Sequence, residues 1–209
     1  NHRPFTYPEG KIDIPPTEKR RAGGVKYTDY ALKRFFEMAA KQKWYKSTLF
    51  VVVADHCASS AGSTELPLDG YRIPCFIYAD FIPAQKIDTL VSQIDVMPTV
   101  MGLLNFSYTS KFIGQDVLTA DYQPRAYIAT YQDLGYLTPE RLTVISPVKK
   151  VRQYDLRLEA EQPAGTEYPL YYSQEERKDL EERGVLECIA RYQSTSYWLK
   201  NQQLNASKK

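Results

Sequence analysis

Six apolar residues in a row, followed at once by a carboxylate and an imidazole, constrain this chain most: Leu49-Phe50-Val51-Val52-Val53-Ala54, then Asp55-His56. An unbroken apolar run rich in β-branched side chains predicts a strand buried on both faces, as in the interior of a parallel sheet. Open sheets of that kind collect ligands at the carboxyl ends of their strands. An Asp and a His at such an end offer an oxygen and a nitrogen to one metal ion. The plainer alternative makes Asp55 a cap of the next turn and His56 a loop residue.

The 209 residues suit one domain with a sizeable core, with or without a small appendage. Net charge is +2, from 27 basic and 25 acidic residues, so no nucleic-acid partner is expected. Cys57, Cys75 and Cys188 make no disulfide framework and no C-x-x-C pair, and the odd count leaves a free thiol. No apolar run approaches the roughly 20 residues that cross a bilayer. The chain opens on Asn1-His2-Arg3-Pro4-Phe5 without Met, and is expected to continue a longer protein.

Four prolines within the first sixteen residues predict an extended entry. Thr17 to Arg21 is a charged approach to a helix. Its apolar or small positions at Val25, Thr28, Leu32, Phe35, Phe36 and Ala39 form a stripe. After the Asp-His pair, Cys57 to Thr64 is a loop, and Tyr71 to Ala79 is a second buried strand. Ile87 to Leu104 reads as helical turns and a helix, with Asp95 as N-cap and Pro98 in the first turn. Beyond Gly114, Ala126–Tyr131, Arg141–Ile145 and Val148–Leu158 predict a small antiparallel sheet. Pro163, Gly165 and Pro169 mark a linker. Ser173 with Glu176 is a capping box that should open C-terminal helices, with Glu175 and Glu176 favourably placed on the helix dipole.

Four segments in order carry a resemblance: Val52-Val53-Ala54-Asp55-His56; Tyr71-Arg72-Ile73-Pro74-Cys75-Phe76-Ile77-Tyr78; Val91 to Val100 with its Asp95-x-x-Pro98-Thr99; and Phe112-Ile113-Gly114-Gln115-Asp116. Together with His2-Arg3-Pro4-Phe5 they resemble the C-terminal half of a sulfatase-type domain. More narrowly, they resemble the lipoteichoic acid synthase-like branch of the alkaline phosphatase superfamily. The resemblance implies an α/β fold: the C-terminal part of an alkaline phosphatase-like sandwich, with a small antiparallel sheet and C-terminal helices. Residues 1–118 would belong to the catalytic domain, 119–204 to the sheet and helical segment, and 205–209 to a tail.

The same resemblance implies a divalent metal held by an upstream acid, a Thr nucleophile and the pair Asp55 and His56, with His2 contacting the phosphate or sulfate oxygens. Mn²⁺ or Mg²⁺ suits a mostly oxygen set with one His, and Zn²⁺ and Ca²⁺ occur in the superfamily. The implied chemistry is transfer or hydrolysis of a phosphodiester of phosphoglycerol type or of a sulfate ester, on a substrate that can be lipid-linked. The parent would be membrane-anchored with this domain extracytoplasmic. The nucleophile's place lies upstream of His2, so the missing N-terminal part of the domain is an expected partner, and this chain alone is expected to be inactive. Thr99 and Thr64 do not fill that role, and Cys57 stands where Gly commonly follows Asp-His. A sulfatase and a non-catalytic binding module are the alternatives.

The remaining candidates are weaker. Lys19-Arg20-Arg21 is either a grip for an anion or a solvated face. Asp29, between Tyr27 and Tyr30, reads as a buried hydrogen-bonded group. Ser59, Ser60 and Ser63 lack a G-x-S-x-G elbow and a partnered His.

Overall fold

The computed structural model describes residues 2–57, 64–159 and 171–205. Contacts divide the chain into two compact units, Asn1–Val51 with Ile77–Pro83, and Val52–Phe76 with Ala84–Lys209.

In the first unit, helix α1 (Arg21–Ala39) carries an extended entry segment on its first turns. Tyr7 stacks on Tyr27 with ring centroids 5.3 Å apart, and its hydroxyl donates to the Ile14 carbonyl. Gly23 and Gly24 permit this approach, because a Cβ at Gly23 would overlap the Tyr7 hydroxyl and one at Gly24 would press on the Phe5 ring. The expected stripe is only partly covered. Leu32 and Phe36 are half-buried and Ala39 is buried, whereas Val25 and Phe35 stay exposed. Phe36, Tyr45 and Tyr78 gather around Phe50 at centroid distances of 5.2, 5.5 and 6.3 Å.

Strands β1 (Phe50–Val53) and β2 (Cys75–Tyr78) pair as a two-stranded sheet. Both lie within the predicted segments, but neither is buried on both faces. Burial along β1 alternates, with Phe50 buried, Val52 half-buried, and Val51 and Val53 exposed. Phe76 on β2 is 65% exposed. The apolar run therefore has cover on one side only among the described residues.

The second unit holds α2 (Val96–Leu103) and a five-stranded antiparallel sheet in sequence order: β3 (Ala126–Ala129), β4 (Leu134–Leu137), β5 (Arg141–Ser146), β6 (Lys150–Glu159) and β7 (Tyr171–Glu176). Helix α3 (Glu182–Lys200) follows. Directly opposed residues share a face. Tyr127, Tyr136, Thr143 and Gln153 are opposed in turn. This face meets α3: Tyr192 packs edge-on to Tyr127, and the Tyr136 hydroxyl donates to Glu187. Buried Gln153 donates to the Glu181 carbonyl and accepts from the Glu181 N–H, which fixes the start of α3.

The other face carries Leu142, Val144 and Tyr154, which form the core with Leu66 and Leu68 from the segment before β2. Glu65 accepts from the Tyr154 hydroxyl at 2.6 Å and pairs with Arg152, and the Gln174 side chain bonds the backbone of Leu66 and Leu68. Gly135 lies beneath Leu66, where a Cβ would come within 2.6 Å of the leucine methyl.

The predicted small sheet is present, extended by β4 and β7. The capping-box reading of Ser173 and Glu176 does not hold, since both lie in β7, paired with Arg157 and Tyr154 of β6. The helix begins instead at Glu182. All three cysteines are free. The predicted linker positions Pro163, Gly165 and Pro169 lie outside the described residues.

Candidate functional site

Two and three residues past the end of β1, the chain places Asp55 and His56. The backbone here is held from two directions. The Ala54 N–H donates to the Pro74 carbonyl at 3.2 Å. The Gln93 side-chain amide donates to the carbonyls of Ala54 at 3.0 Å and Asp55 at 3.3 Å.

Within the pair, the His56 backbone N–H donates to Asp55 Oδ1 at 3.0 Å. Asp55 Oδ2 lies 3.6 Å from His56 Nε2. His56 Nδ1 lies 2.7 Å from the Cys57 carbonyl oxygen. A carbonyl only accepts, so this contact uses Nδ1 as the donor and leaves Nε2 as the ring nitrogen available to a metal ion. Histidine metal ligands are commonly oriented in this way, through a backbone carbonyl on the other ring nitrogen. Two donors bonded to one ion at about 2.0–2.2 Å each stand roughly 3 Å apart, so 3.6 Å asks for only a small side-chain adjustment. Both side chains are open to solvent, Asp55 at 89% and His56 at 72%. The pair thus fits a divalent ion in donor type and separation. Among the described residues, no group of three or more His, Cys, Asp or Glu is assembled to hold a metal.

The segment carrying Gln93 is anchored by a buried ion pair. Asp95 closes a 3₁₀ turn, Gln93–Asp95, whose N-cap is Ser92. Asp95 occupies the N-cap position of α2, as expected, but its side chain makes no capping bond to that helix. The carboxylate turns back instead to accept from the Ser92 N–H at 3.0 Å, completing a capping box. It also accepts from Arg125 through both oxygens at 2.7 and 2.8 Å, from the Gln115 N–H at 2.8 Å and from the Tyr122 hydroxyl at 3.1 Å. The Asp95 side chain is fully buried and that of Arg125 is 4% exposed. Burial, and then the Asp95 charge, push the Tyr122 hydroxyl up to about 12.

Thr99 completes the motif structurally, donating to the Asp95 carbonyl at 2.7 Å and accepting from the Val117 N–H at 3.1 Å. Gly114 is required because a Cβ there would overlap the Ile94 carbonyl oxygen. Two of the quoted sequence segments, Val91–Val100 and Phe112–Asp116, are therefore one interlocked unit. The Gln93 contacts were not foreseen from sequence; the only signal was the position of Gln93 within a quoted motif.

His2 lies in the first unit and is exposed, with Nδ1 3.1 Å from the Arg3 carbonyl oxygen. Arg3, Pro4, Phe5, Lys19, Arg20 and Arg21 line an open cleft of about 640 Å³. Its cationic rim can draw in an anion, although Arg20 already faces Glu18 at 3.6 Å. Asp29 is exposed on α1, which corrects the expectation of a buried group. Ser59, Ser60 and Ser63 lie outside the described residues.

The sulfatase family model matches residues 1–106. Lipoteichoic acid synthase 2 of Bacillus subtilis (strain 168) is 24% identical over 161 residues, which is 67% of this chain and 24% of that protein. The crystal structure of a protein in the alkaline phosphatase superfamily from Vibrio parahaemolyticus is 30% identical and superposes over 100% of this chain with a TM-score of 0.84, covering 48% of its own length. The structure of Ps i-CgsB, 20% identical over 74% of this chain and 41% of its own, superposes with a TM-score of 0.54 and bears on the fold alone. This chain therefore spans about a quarter to a half of the relatives it matches. With a family match over half its length and an α/β architecture shared end to end with a superfamily member, the chain belongs to the sulfatase family of the alkaline phosphatase superfamily.

Proposed function

We propose that the protein containing this chain is a metal-dependent phosphotransferase or hydrolase of phosphodiesters of the phosphoglycerol type, with Asp55 and His56 as two of its metal ligands. The observation that carries this reading is the approach of Asp55 Oδ2 to His56 Nε2, with Nδ1 already committed to a carbonyl. Likeness to a lipoteichoic acid synthase favours a phosphodiester over a sulfate ester. A bound Mn²⁺ or Mg²⁺ would act there as a Lewis acid and neutralise charge on the transferred group. The residues of this chain hold and orient. Asp55 and His56 supply one oxygen and one nitrogen donor, and His2 contacts the oxygens of the substrate's phosphoryl group. The nucleophilic Thr and the remaining ligands come from sequence upstream of Asn1, and the strands of that upstream part cover the exposed side of β1 and β2. Residues 1–118 belong to this catalytic domain. The substrate is lipid-linked, and the domain works outside the cytoplasmic membrane on an anchored protein. No helix among the described residues is long and apolar enough to cross a membrane.

The test uses the full-length parent protein with Mn²⁺, assayed on bis(p-nitrophenyl) phosphate and on p-nitrophenyl sulfate. Phosphodiester turnover should dominate, and Asp55→Ala or His56→Ala should each lower it by at least about a hundredfold, beyond the loss seen when a ligand's supporting partner is removed. Faster sulfate-ester turnover would make the protein a sulfatase. Turnover that is absent with every metal would favour the binding module.

A further inference from the structure

We propose that Gln93 is a positioning residue for the Asp55-His56 pair, an inference that rests on the reading of that pair as metal ligands. Gln93 is exposed, yet its side-chain nitrogen donates to two consecutive carbonyls, Ala54 O and Asp55 O. An amide nitrogen has two hydrogens, and these two carbonyls use both. The arrangement occurs just past β1, where among the described residues a side-chain amide, and no backbone N–H, donates to these two carbonyls. Fixing those two carbonyls fixes the peptide planes on either side of the Asp55 Cα, and with them the direction of its Cα–Cβ bond.

The clamp is useful only if its own base is rigid, and that base is built on the buried Asp95–Arg125 ion pair. Ser92 and Asp95 flank Gln93 in a closed capping box, and Asp95 is held by Arg125, Gln115 and Tyr122. The rigidity of a buried ion pair is thereby transmitted through a short turn to a solvent-exposed pair. A ligand pair so exposed has little packing of its own to orient it. Outer partners of this kind set metal affinity by limiting the orientations the ligands sample.

The experiment compares the wild-type chain with Gln93→Leu, near in volume and lacking the donor. Three quantities are measured: ¹⁵N relaxation at the backbone amides of 54–57, Mn²⁺-induced broadening of the same amides as a titration, and Tm. Gln93→Leu should raise fast backbone motion at 54–57, weaken the Mn²⁺ response there about tenfold, and leave Tm within about 2 °C of wild type. Relaxation at 54–57 that is unchanged by the substitution would overturn the inference. So would a large fall in Tm, which would assign Gln93 to general stability. If the wild-type amides show no localised Mn²⁺ broadening, the metal reading fails by itself, and the relaxation comparison still decides the clamp.

Discussion

At the scale of single residues, Asp95 does more than its motif suggests. A fully buried carboxylate is costly unless its lone pairs are filled, and here five donors fill them. The partners come from 20 to 30 positions downstream as well as from Ser92. Nothing in the local sequence pairs Asp95 with Arg125, so the local reading reached only the helix start. Removing one partner of such a pair strands the other charge. Arg125→Ala should therefore cost about 3–5 kcal/mol of stability, read by urea denaturation, whereas Arg20→Ala, on an exposed pair, should change it by less than about 1 kcal/mol. Equal effects would show that the buried pair is not the anchor described.

At the scale of elements, periodicity was legible and partnering was not. The segments that became β1, β3, β5 and β6 were readable because apolar and β-branched residues cluster there. Strand β7 was misread because Ser173 and Glu176 satisfy a helix-start pattern, while pairing with β6 decides the conformation. The join between this sheet and α3 is electrostatic in part. Asp155 accepts from Arg177 at 2.8 Å and from Arg141 at 3.3 Å, and Arg141 also reaches Glu181 at 2.5 Å. Partial burial acts to raise the Asp155 carboxyl, but hydrogen bonds from Arg177 and Arg141 outweigh it and hold it below its ordinary 3.8. A depressed carboxyl stabilises the fold above its unfolded value and loses that contribution as pH falls through the folded one. The Tm difference between wild type and Asp155→Asn should accordingly be present at pH 7 and shrink below pH 3.8. A difference that is constant with pH would refute the assignment.

At the scale of the whole molecule, burial of neutral hydroxyls and a thiol sets an alkaline limit. Burial first, and then Glu187, push the Tyr136 hydroxyl up to about 12, and burial pushes the Cys188 thiol to about 12. Tyr122 behaves in the same way. A raised value means stability that is complete below the unfolded values, 10.0 for Tyr and 9.0 for Cys, and is lost as pH rises towards about 12. The tyrosinate signal of Tyr122 and Tyr136 should appear together with loss of structure in that window; their titration without unfolding would contradict it.

By itself the sequence determined the strand-then-Asp-His junction, most of the antiparallel sheet and, through a set of short motifs in order, the family with its α/β class, because each motif or strand is written in a short run of residues. Only the tertiary structure decided that Asp95 faces inward to Arg125, that β1 is covered on one side among the described residues, and that Gln93 grips the backbone at Asp55. These depend on which distant segments meet, and a buried charge or a lone amide donor is satisfied by partners that no local pattern specifies.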